Sequence, residues 1–325
     1  MTEGFDRNDL CLALEEILRK PVLNVRRRPS LYSSSFAIEE LEVTTKTGVI
    51  EMVFKNLSRH AMLADAANTK PDFLYDPLRE INVYRSIHPL LNMGIPKLYG
   101  AVTDPSIGRY WLFLERVSAS ELYECGEFET WLCVARWLAR FHASRAADAT
   151  VARDLAPQLL EHDASYYRTW LQRAHASIGR HDDIGRRYDC AIDLLLALPR
   201  TLIHGEFYAS NILVEGPEDD LRICPVDWEM AAIGPGILDI AALASGKWTR
   251  DQRLRMAQAW CDALPAALRP PDLVTAFDGA QLQIAVQWLG WSDRWSPPQE
   301  HVHDWLSEAL CLSRQDIPSM EPLAC

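Results

Sequence analysis

The alternation of apolar and polar residues divides the chain into a strand-rich first part and a mainly helical remainder. Residues 8–20 have apolar side chains at helical spacing, and Pro21 ends that pattern. From Val22 the period becomes that of strands, and Thr47-Gly48 marks a turn between two of them. The pattern predicts strands over residues 22–28, 37–45, 48–57, 95–102 and 110–115.

Helical spacing dominates the rest of the chain. A helix opened by Pro77 is predicted over residues 76–85, since proline suits the first turn of a helix. Further helical patterns cover residues 127–146, 154–198, 240–267 and 276–295. A run of strands followed by a run of helices predicts an α/β (α+β) fold with a mainly antiparallel sheet in its first part.

The stretch from Ile203 to Asp239 carries polar residues between short apolar runs, as buried strands flank a catalytic loop. Phosphoryl transfer needs a carboxylate to orient the attacking hydroxyl, and an amide plus a carboxylate to hold Mg²⁺ on the phosphates. Glu206, Asn211 and Asp227 supply these groups in that order. The sequence therefore predicts phosphotransferase chemistry, with Glu206 catalytic and with Asn211 and Asp227 both catalytic and ligands of Mg²⁺.

This stretch resembles the aminoglycoside phosphotransferase and choline kinase superfamily, whose members have a protein-kinase-like fold. The family pattern is His-Gly-Asp, four residues, Asn, a short strand ending in Asp followed by Trp-Glu or similar, and then Gly-Pro and Asp. The matching residues are His204-Gly205, Asn211, Asp227-Trp228-Glu229, Gly234-Pro235 and Asp239. One position departs from the pattern, because Glu206 stands where the family has its catalytic Asp.

The resemblance implies two lobes. Residues 1–117 would form a small nucleotide-binding lobe with an antiparallel sheet. Residues 118–325 would form a larger, mainly helical lobe with the catalytic loop, the metal site and the acceptor pocket. Lys55, at the end of the third strand, would contact the nucleotide phosphates, and Glu80 would hold it in an ion pair.

Two further nucleotide contacts follow from the resemblance. Ser33, Ser34 and Ser35 lie where a loop covers the phosphates, although this loop has no glycine and is weak as a phosphate motif. The backbone of Glu115 to Val117 would hydrogen-bond the adenine edge at the hinge between the lobes. Residues 59–75 show no strand period and are interpreted as an insertion.

Three residues of the motif are open to more than one interpretation. His204 can hydrogen-bond the backbone of the catalytic loop or of the Asp227 turn. Asp239 can cap the next helix or brace the loop. Glu229 is a second metal contact or a partner of the following helix. The glutamate at 206 adds a methylene, so either the loop is remodelled around it, the acceptor sits farther away, or turnover is slow or absent.

Composition limits the partners and the compartment. A net charge of −12 argues against nucleic acid and permits a cationic substrate. The eight cysteines form no Cys-x-x-Cys pair, so reduced thiols are expected rather than a zinc site or a disulfide framework. The chain has no apolar run of membrane-spanning length and no basic-then-apolar signal segment at residues 1–6, so we expect a cytoplasmic protein without a membrane partner.

The leading functional hypothesis is an ATP- or GTP-dependent, Mg²⁺-dependent transfer of the γ-phosphate to a hydroxyl of a small molecule. The resemblance suggests an aminoglycoside-like compound, another natural product or a metabolite as acceptor. A Ser/Thr kinase acting on a peptide in ribosomal peptide maturation is one alternative. A nucleotide-binding pseudokinase scaffold is the other, and it depends on the change from Asp to Glu at position 206.

Overall fold

The structure, a computed structural model, describes residues 7–33, 35–87, 93–146, 158–217, 220–291 and 302–314. The chain forms two compact units. The first comprises Met1–Gly126, Arg153–Leu159 and Ala209–Ala231, and the second comprises Glu127–Ala152, Leu160–Tyr208 and Ala232–Cys325. The lobe boundary that the sequence places at residue 117 stays a prediction. Among the described helices, none has the length and apolar character needed to cross a membrane.

The first unit contains the predicted antiparallel sheet. Its strands are β1 (Val22–Ser33), β2 (Ala37–Thr45), β3 (Gly48–Asn56), β4 (Leu98–Asp104) and β5 (Arg109–Glu115). They lie in the order β1-β2-β3-β5-β4, and every adjacent pair is antiparallel. Strand β1 continues beyond the predicted end at Arg28, because residues up to Ser33 pair with β2 across an irregularity in the register.

One face of this sheet packs against helix α1 (Arg7–Leu18). The shared core consists mainly of Leu10, Leu14, Leu41, Val43, Met52, Phe54, Trp111 and Phe113. Residues two apart on a strand share a face, and Phe54 stacks on Phe113 with ring centroids 5.1 Å apart. Since Phe54 faces this core, the next residue, Lys55, faces the other side of the sheet.

Within its described residues, the first unit also contains three short strands and two helices. They are β6 (Ser120–Glu121), helices α2 (Ala64–Thr69) and α3 (Pro77–Ile87), and the hairpin of β9 (Ile212–Glu215) and β10 (Arg222–Pro225). Helix α3 begins at Pro77, and the Asp76 side chain accepts a hydrogen bond from the Leu78 backbone N–H at 2.8 Å. The predicted insertion, residues 59–75, consists of α2 and two short 3-10 turns.

The second unit is mainly helical, as the sequence predicts. Its described helices are α4 (Phe128–Ala146), α5 (Ala164–Ile178), α6 (Asp182–Ala197), α7 (Ile237–Leu243), α8 (Arg250–Ala263), α9 (Leu273–Leu289) and α10 (Trp305–Ser313). A small sheet contains β7 (Leu160–Glu161), β11 (Ala232–Pro235) and β8 (Arg200–Ile203) in that order.

Three predicted helical stretches are divided or shortened. Residues 240–267 are not continuous: Gly246 has a φ of 97°, and Thr249 starts a new helix with a capping box. Gly179, with a φ of 81°, separates α5 from α6. Helix α9 ends at Leu289, so the predicted helix to 295 is too long, and residues 292–295 lie outside the described part. Residues 154–157 also lie outside it.

His162 is a buried histidine next to strand β7. Its ring stacks on Tyr166 with centroids 4.0 Å apart. Within the described part of the chain, neither of its ring nitrogens has a hydrogen-bond partner. Burial lowers the pKa of His162 to about 3, whereas a histidine in an unfolded chain titrates near 6.5.

We predict that this histidine makes folding pH-dependent. Below pH ~6.5 the unfolded chain takes up a proton that folded His162 does not, so stability falls as the pH falls. Between pH ~6.5 and ~5.5 the loss should be about 1 kcal/mol. His162→Phe keeps a ring against Tyr166 and should remove this loss, whereas His60→Phe, at an exposed histidine, should not. Urea unfolding at both pH values measures it, and an unchanged pH dependence in His162→Phe contradicts the prediction.

Candidate active site

The first unit holds a buried ammonium between two carboxylates. Lys55 Nζ, at the end of β3, lies 2.9 and 2.8 Å from the two carboxylate oxygens of Glu80 and 2.7 Å from Oδ1 of Asp227. The side chains of Lys55 and Glu80 are 4% and 2% exposed, and that of Asp227 is 17% exposed. The ion pair between Lys55 and Glu80 that the sequence predicts is therefore present, and Asp227 shares the same ammonium.

The charges of this group do not cancel. Burial disfavours the ammonium, but the carboxylates of Asp227 and Glu80 outweigh it and raise the pKa of Lys55, which stays charged. Burial also raises the pKa of Glu80, although Lys55 opposes the change. Two carboxylates share one ammonium, so a further cation at Asp227, the most exposed of the three, would lower the energy of the group.

An unusual backbone conformation sets the position of Asp227. Its φ and ψ are 66° and 65°, in the left-handed region that a side chain other than glycine seldom adopts. The preceding residue, Val226, donates its backbone N–H to the carbonyl of Asn211 at 2.9 Å. The following residue, Trp228, is fully buried and anchors the turn. The backbone therefore brings Asn211 next to the turn that carries Asp227.

The residues of this turn fit a magnesium ion. Asn211, Asp227 and Glu229 offer amide and carboxylate oxygens, the hard donors that Mg²⁺ prefers. Mg²⁺ usually takes one or two protein carboxylates and completes its shell with water and substrate phosphates. Among the described residues, no group of three or more His, Cys, Asp or Glu side chains is arranged to enclose a metal.

Glu229 also has partners on the segment before α3. Its Oε2 accepts from Lys70 Nζ at 2.6 Å, and its Oε1 accepts from Ser35 Oγ at 2.7 Å. Ser35 in turn accepts from Lys70 at 3.1 Å. The predicted serine loop is thus described at Ser35, while Ser34 and the side chain of Ser33 lie outside the described residues. The sequence offered two interpretations of Glu229, a metal contact or a partner of the following helix. Neither of them predicts the bond to Lys70.

Arg79 is a structural residue that the sequence analysis missed. Its guanidinium donates to the backbone carbonyls of Glu229 at 2.6 Å, Leu74 at 2.8 Å and Gln158 at 2.7 Å. Helix α3 therefore holds the Asp227 turn directly through Arg79, and the next residue, Glu80, holds Lys55. No motif marks an arginine that donates to backbone carbonyl groups, so the sequence carries no signal for it.

The predicted purine-binding segment begins where β5 ends. Glu115 donates its backbone N–H to the Lys97 carbonyl at 2.8 Å, and Arg222 donates to both of its carboxylate oxygens at 2.9 and 2.8 Å. Burial acts against the charged carboxylate, but the Arg222 bonds outweigh it and lower the pKa of Glu115. The N–H of Glu115 is used inside the protein, and Val117 is half-buried beyond the strand. Their contact with a purine stays a prediction.

The second unit contains the loop with Glu206, and Asp239 braces it. The buried carboxylate of Asp239 accepts the backbone N–H groups of His204 at 2.7 Å and Gly205 at 2.9 Å. His142 Nε2 lies 3.1 Å from the same carboxylate, and His142 Nδ1 accepts from Trp260 Nε1 at 3.1 Å. Because Nδ1 accepts a hydrogen bond, Nε2 carries the ring proton and donates a hydrogen bond to the Asp239 carboxylate.

Two glycines of the motif are explained by close packing in the same unit. A Cβ on Gly236 would lie 2.6 Å from Nδ1 of His142, and a Cβ on Gly234 would lie 2.9 Å from Ile203. Any larger residue would push aside the histidine that holds Asp239 or the strand that leads into the catalytic loop. The Gly-Pro-Gly run is thus required by the packing around the loop.

Buried neighbours also fix the loop beyond Glu206. The backbone N–H of Glu206 donates to His204 Nδ1 at 3.3 Å, which is the loop contact foreseen for that histidine. Phe207 is fully buried and stacks on Trp137, and Tyr208 packs against Trp288 with ring centroids 5.5 Å apart. Glu206 itself is half-buried. Its backbone is therefore held from both sides, as a positioned carboxylate requires.

Comparison with known proteins gives one match in sequence. The pattern of the phosphotransferase enzyme family (APH) matches residues 60–272, more than half of the chain. Among curated proteins, none matches the chain.

Solved structures share the fold at low sequence identity. Macrolide 2'-phosphotransferase MphH from Brachybacterium faecium is 15% identical over 95% of this chain and 100% of that one, with a TM-score of 0.58. Choline kinase LicA from Streptococcus pneumoniae is 13% identical over 96% and 92%, with a TM-score of 0.55. The GDP complex of aminoglycoside 2'-phosphotransferase-IIIa is 14% identical over 95% and 97%, with a TM-score of 0.55.

These likenesses confirm the protein-kinase-like fold that the motif implied, with an antiparallel sheet followed by a mainly helical part. The family match covers Glu80, the loop of Glu206 and the turn of Asp227, and it begins after Lys55. The chain belongs to the phosphotransferase enzyme family and is by that membership a phosphotransferase.

Proposed function

We propose that the protein transfers the γ-phosphate of ATP or GTP to a hydroxyl of a small molecule. The observation that carries the proposal is the buried contact of Lys55 with Glu80 and Asp227. A lysine fixed by a glutamate, beside a carboxylate with oxygen donors around it, is the arrangement that holds nucleotide phosphates and their metal ion. A purely structural ion pair would have no need of a third, partly exposed carboxylate.

Each residue then has a role in binding the donor. Lys55, held by Glu80, contacts nucleotide phosphates as a fixed positive charge. Asp227 and Asn211 hold Mg²⁺, with Glu229 as a further oxygen donor. The ion, when bound, neutralises charge that develops on the phosphoryl oxygens. The protein's own contribution is to keep these donors in place before the nucleotide arrives.

Glu206 is the residue proposed to orient the acceptor hydroxyl and to take its proton. In a loose phosphoryl-transfer transition state the proton leaves late, so orientation matters more than basicity. A glutamate reaches about 1.5 Å farther than an aspartate, one carbon–carbon bond. Because Asp239 and the buried Phe207 hold this loop, we propose that the loop is built for glutamate. The retained loop favours an active enzyme over a scaffold.

The acceptor is proposed to be a small molecule that carries an amine. Structural neighbours include an aminopropanol kinase, choline kinases and a putative fructosamine-3-kinase, all named for small acceptors. The net charge of −12 suits a cationic compound of that kind. A cytoplasmic location belongs to the same proposal, since ATP, GTP and Mg²⁺ are plentiful there.

Nucleotide binding is the first prediction. With Mg²⁺ present, ATP or GTP should raise the midpoint of thermal unfolding. Lys55→Ala and Asp227→Ala should weaken binding by about 10-fold or more, because each removes a charged contact. Asp189→Ala, an exposed carboxylate on α6, should have no effect. Absence of a thermal shift with ATP, ADP and GTP, in Mg²⁺ and in Mn²⁺, would rule out both an active phosphotransferase and a nucleotide-binding scaffold.

A second prediction concerns Glu206. Glu206→Gln should keep nucleotide affinity and lower kcat by about 100-fold or more, since a positioned base contributes about 10²–10⁴. Glu206→Asp should give an intermediate rate if the loop is built for glutamate. Transfer of labelled γ-phosphate to amino alcohols and aminoglycosides measures both. A Glu206→Gln enzyme as fast as the wild type shows that this carboxylate is not the base, and a wild type that binds nucleotide without any transfer favours the scaffold.

A further inference from the structure

Lys70 is a buried ammonium that the proposed mechanism does not use. Its side chain is 5% exposed, and its Nζ lies 2.6 Å from Glu229 Oε2 and 3.1 Å from Ser35 Oγ. Ser35 Oγ donates to the other oxygen of Glu229 at 2.7 Å. An ammonium and a hydroxyl thus converge on a single carboxylate, two residues beyond Asp227 in the chain.

The segment that carries Lys70 is tied to the serine loop. The backbone N–H of Leu63 donates to the Ser35 carbonyl at 3.0 Å, and Phe36 forms a β-bridge with Met62. The backbone N–H of Lys70 itself ends α2 by donating to Ala66 at 2.8 Å. The loop and the lysine are therefore fixed to each other. Residues 59–75, interpreted from the sequence as an insertion, therefore hold the serine loop and Lys70 in place.

The same donors would suit a phosphate. The carboxylate of Glu229 accepts from an ammonium and a hydroxyl. Groups of this kind also donate hydrogen bonds to phosphate oxygens. Lys70 pairs with Glu229 at 2.6 Å, and Lys55 pairs with Asp227, two residues earlier in the same turn, at 2.7 Å. The two ammonium groups therefore act on one small region of the first unit. Burying a second lysine there is costly unless an anion accompanies it, and Glu229 is that anion.

The serine loop lacks the glycines by which a phosphate loop usually binds phosphates. A phosphate loop usually relies on glycine, so that backbone N–H groups can approach the phosphate oxygens closely. Residues 33–36 read Ser-Ser-Ser-Phe and contain no glycine. A nucleotide at this loop would therefore depend more on side-chain donors and on a nearby positive charge.

We propose that Lys70, together with Ser35, is a second phosphate contact for the nucleotide, and that both exchange their bonds to Glu229 for bonds to phosphate oxygens. The proposal rests on the proposed function and extends it. Lys55 and Lys70 would each bind phosphate oxygens, and Glu229 would be left to serve the metal ion. The chain would thereby replace the backbone cradle of a glycine-rich loop with a lysine supplied by the segment before α3.

The test compares nucleotides that differ only in their phosphates. Isothermal titration with Mg²⁺ measures adenosine, ADP and ATP, or the guanosine series if the wild type prefers it. Lys70→Met should weaken the di- and triphosphate by about 10- to 100-fold and change nucleoside affinity by less than about 2-fold, since a charged hydrogen bond is lost only at the phosphates. Lys70→Arg should recover most of the affinity, and Lys46→Met, at an exposed lysine, should match the wild type.

The outcomes separate this inference from the proposed function. If the wild type binds no nucleotide, the proposed function fails. If the wild type binds ATP and Lys70→Met binds it equally well, only the role of Lys70 is overturned. An equal loss for nucleoside and nucleotide also overturns it, because that loss reflects structure alone. If Lys70→Met does not fold, Lys70→Gln, which keeps a polar end to pair with Glu229, is measured in the same way.

Discussion

The constraint on which the first unit depends is the burial of the Lys55 ammonium between the carboxylates of Glu80 and Asp227. Removing one partner of such a group typically costs about 3–5 kcal/mol, because the remaining charge is left without compensation. The three residues come from a strand, a helix and a turn that are distant in sequence. Strand β3, helix α3 and the turn after β10 must therefore pack so that these charges meet. The same requirement produces a site with one carboxylate partly exposed and negative charge in excess, and the proposed binding of a metal ion and then a nucleotide rests on this charge.

The second unit solves a different problem, which is to hold one carboxylate in place without burying it. Asp239 binds the backbone on the N-terminal side of Glu206, and Phe207 and Tyr208 are buried on the other side. The side chain of Glu206, between them, stays half-buried. We propose that this support lets a loop adapted to glutamate position the carboxylate for catalysis.

The sequence predicted the elements whose signal is local or carried by a motif. The strand periods, the proline that opens α3 and the pairing of Lys55 with Glu80 are of this kind. It did not reveal Lys70 or Arg79, because their partners are a carboxylate and carbonyl groups brought close only by tertiary packing. Nor could it show the left-handed backbone of Asp227, a conformation that residues other than glycine seldom adopt and that the surrounding packing imposes here. The break between α7 and α8 was missed because apolar spacing continues through Gly246, and a single glycine does not outweigh it.

In the proposed site Glu80 acts on the nucleotide only through Lys55, and a double-mutant cycle tests this most directly. Affinity for ATP with Mg²⁺ is measured in the wild type, Lys55→Met, Glu80→Gln and the double variant, with the unfolding midpoint of each recorded alongside. We expect Glu80→Gln to weaken binding by about 10-fold when Lys55 is present and to have almost no effect when it is absent, a coupling of about 1–2 kcal/mol. Equal effects of Glu80→Gln in both backgrounds would show that the two residues act independently, and would contradict the account.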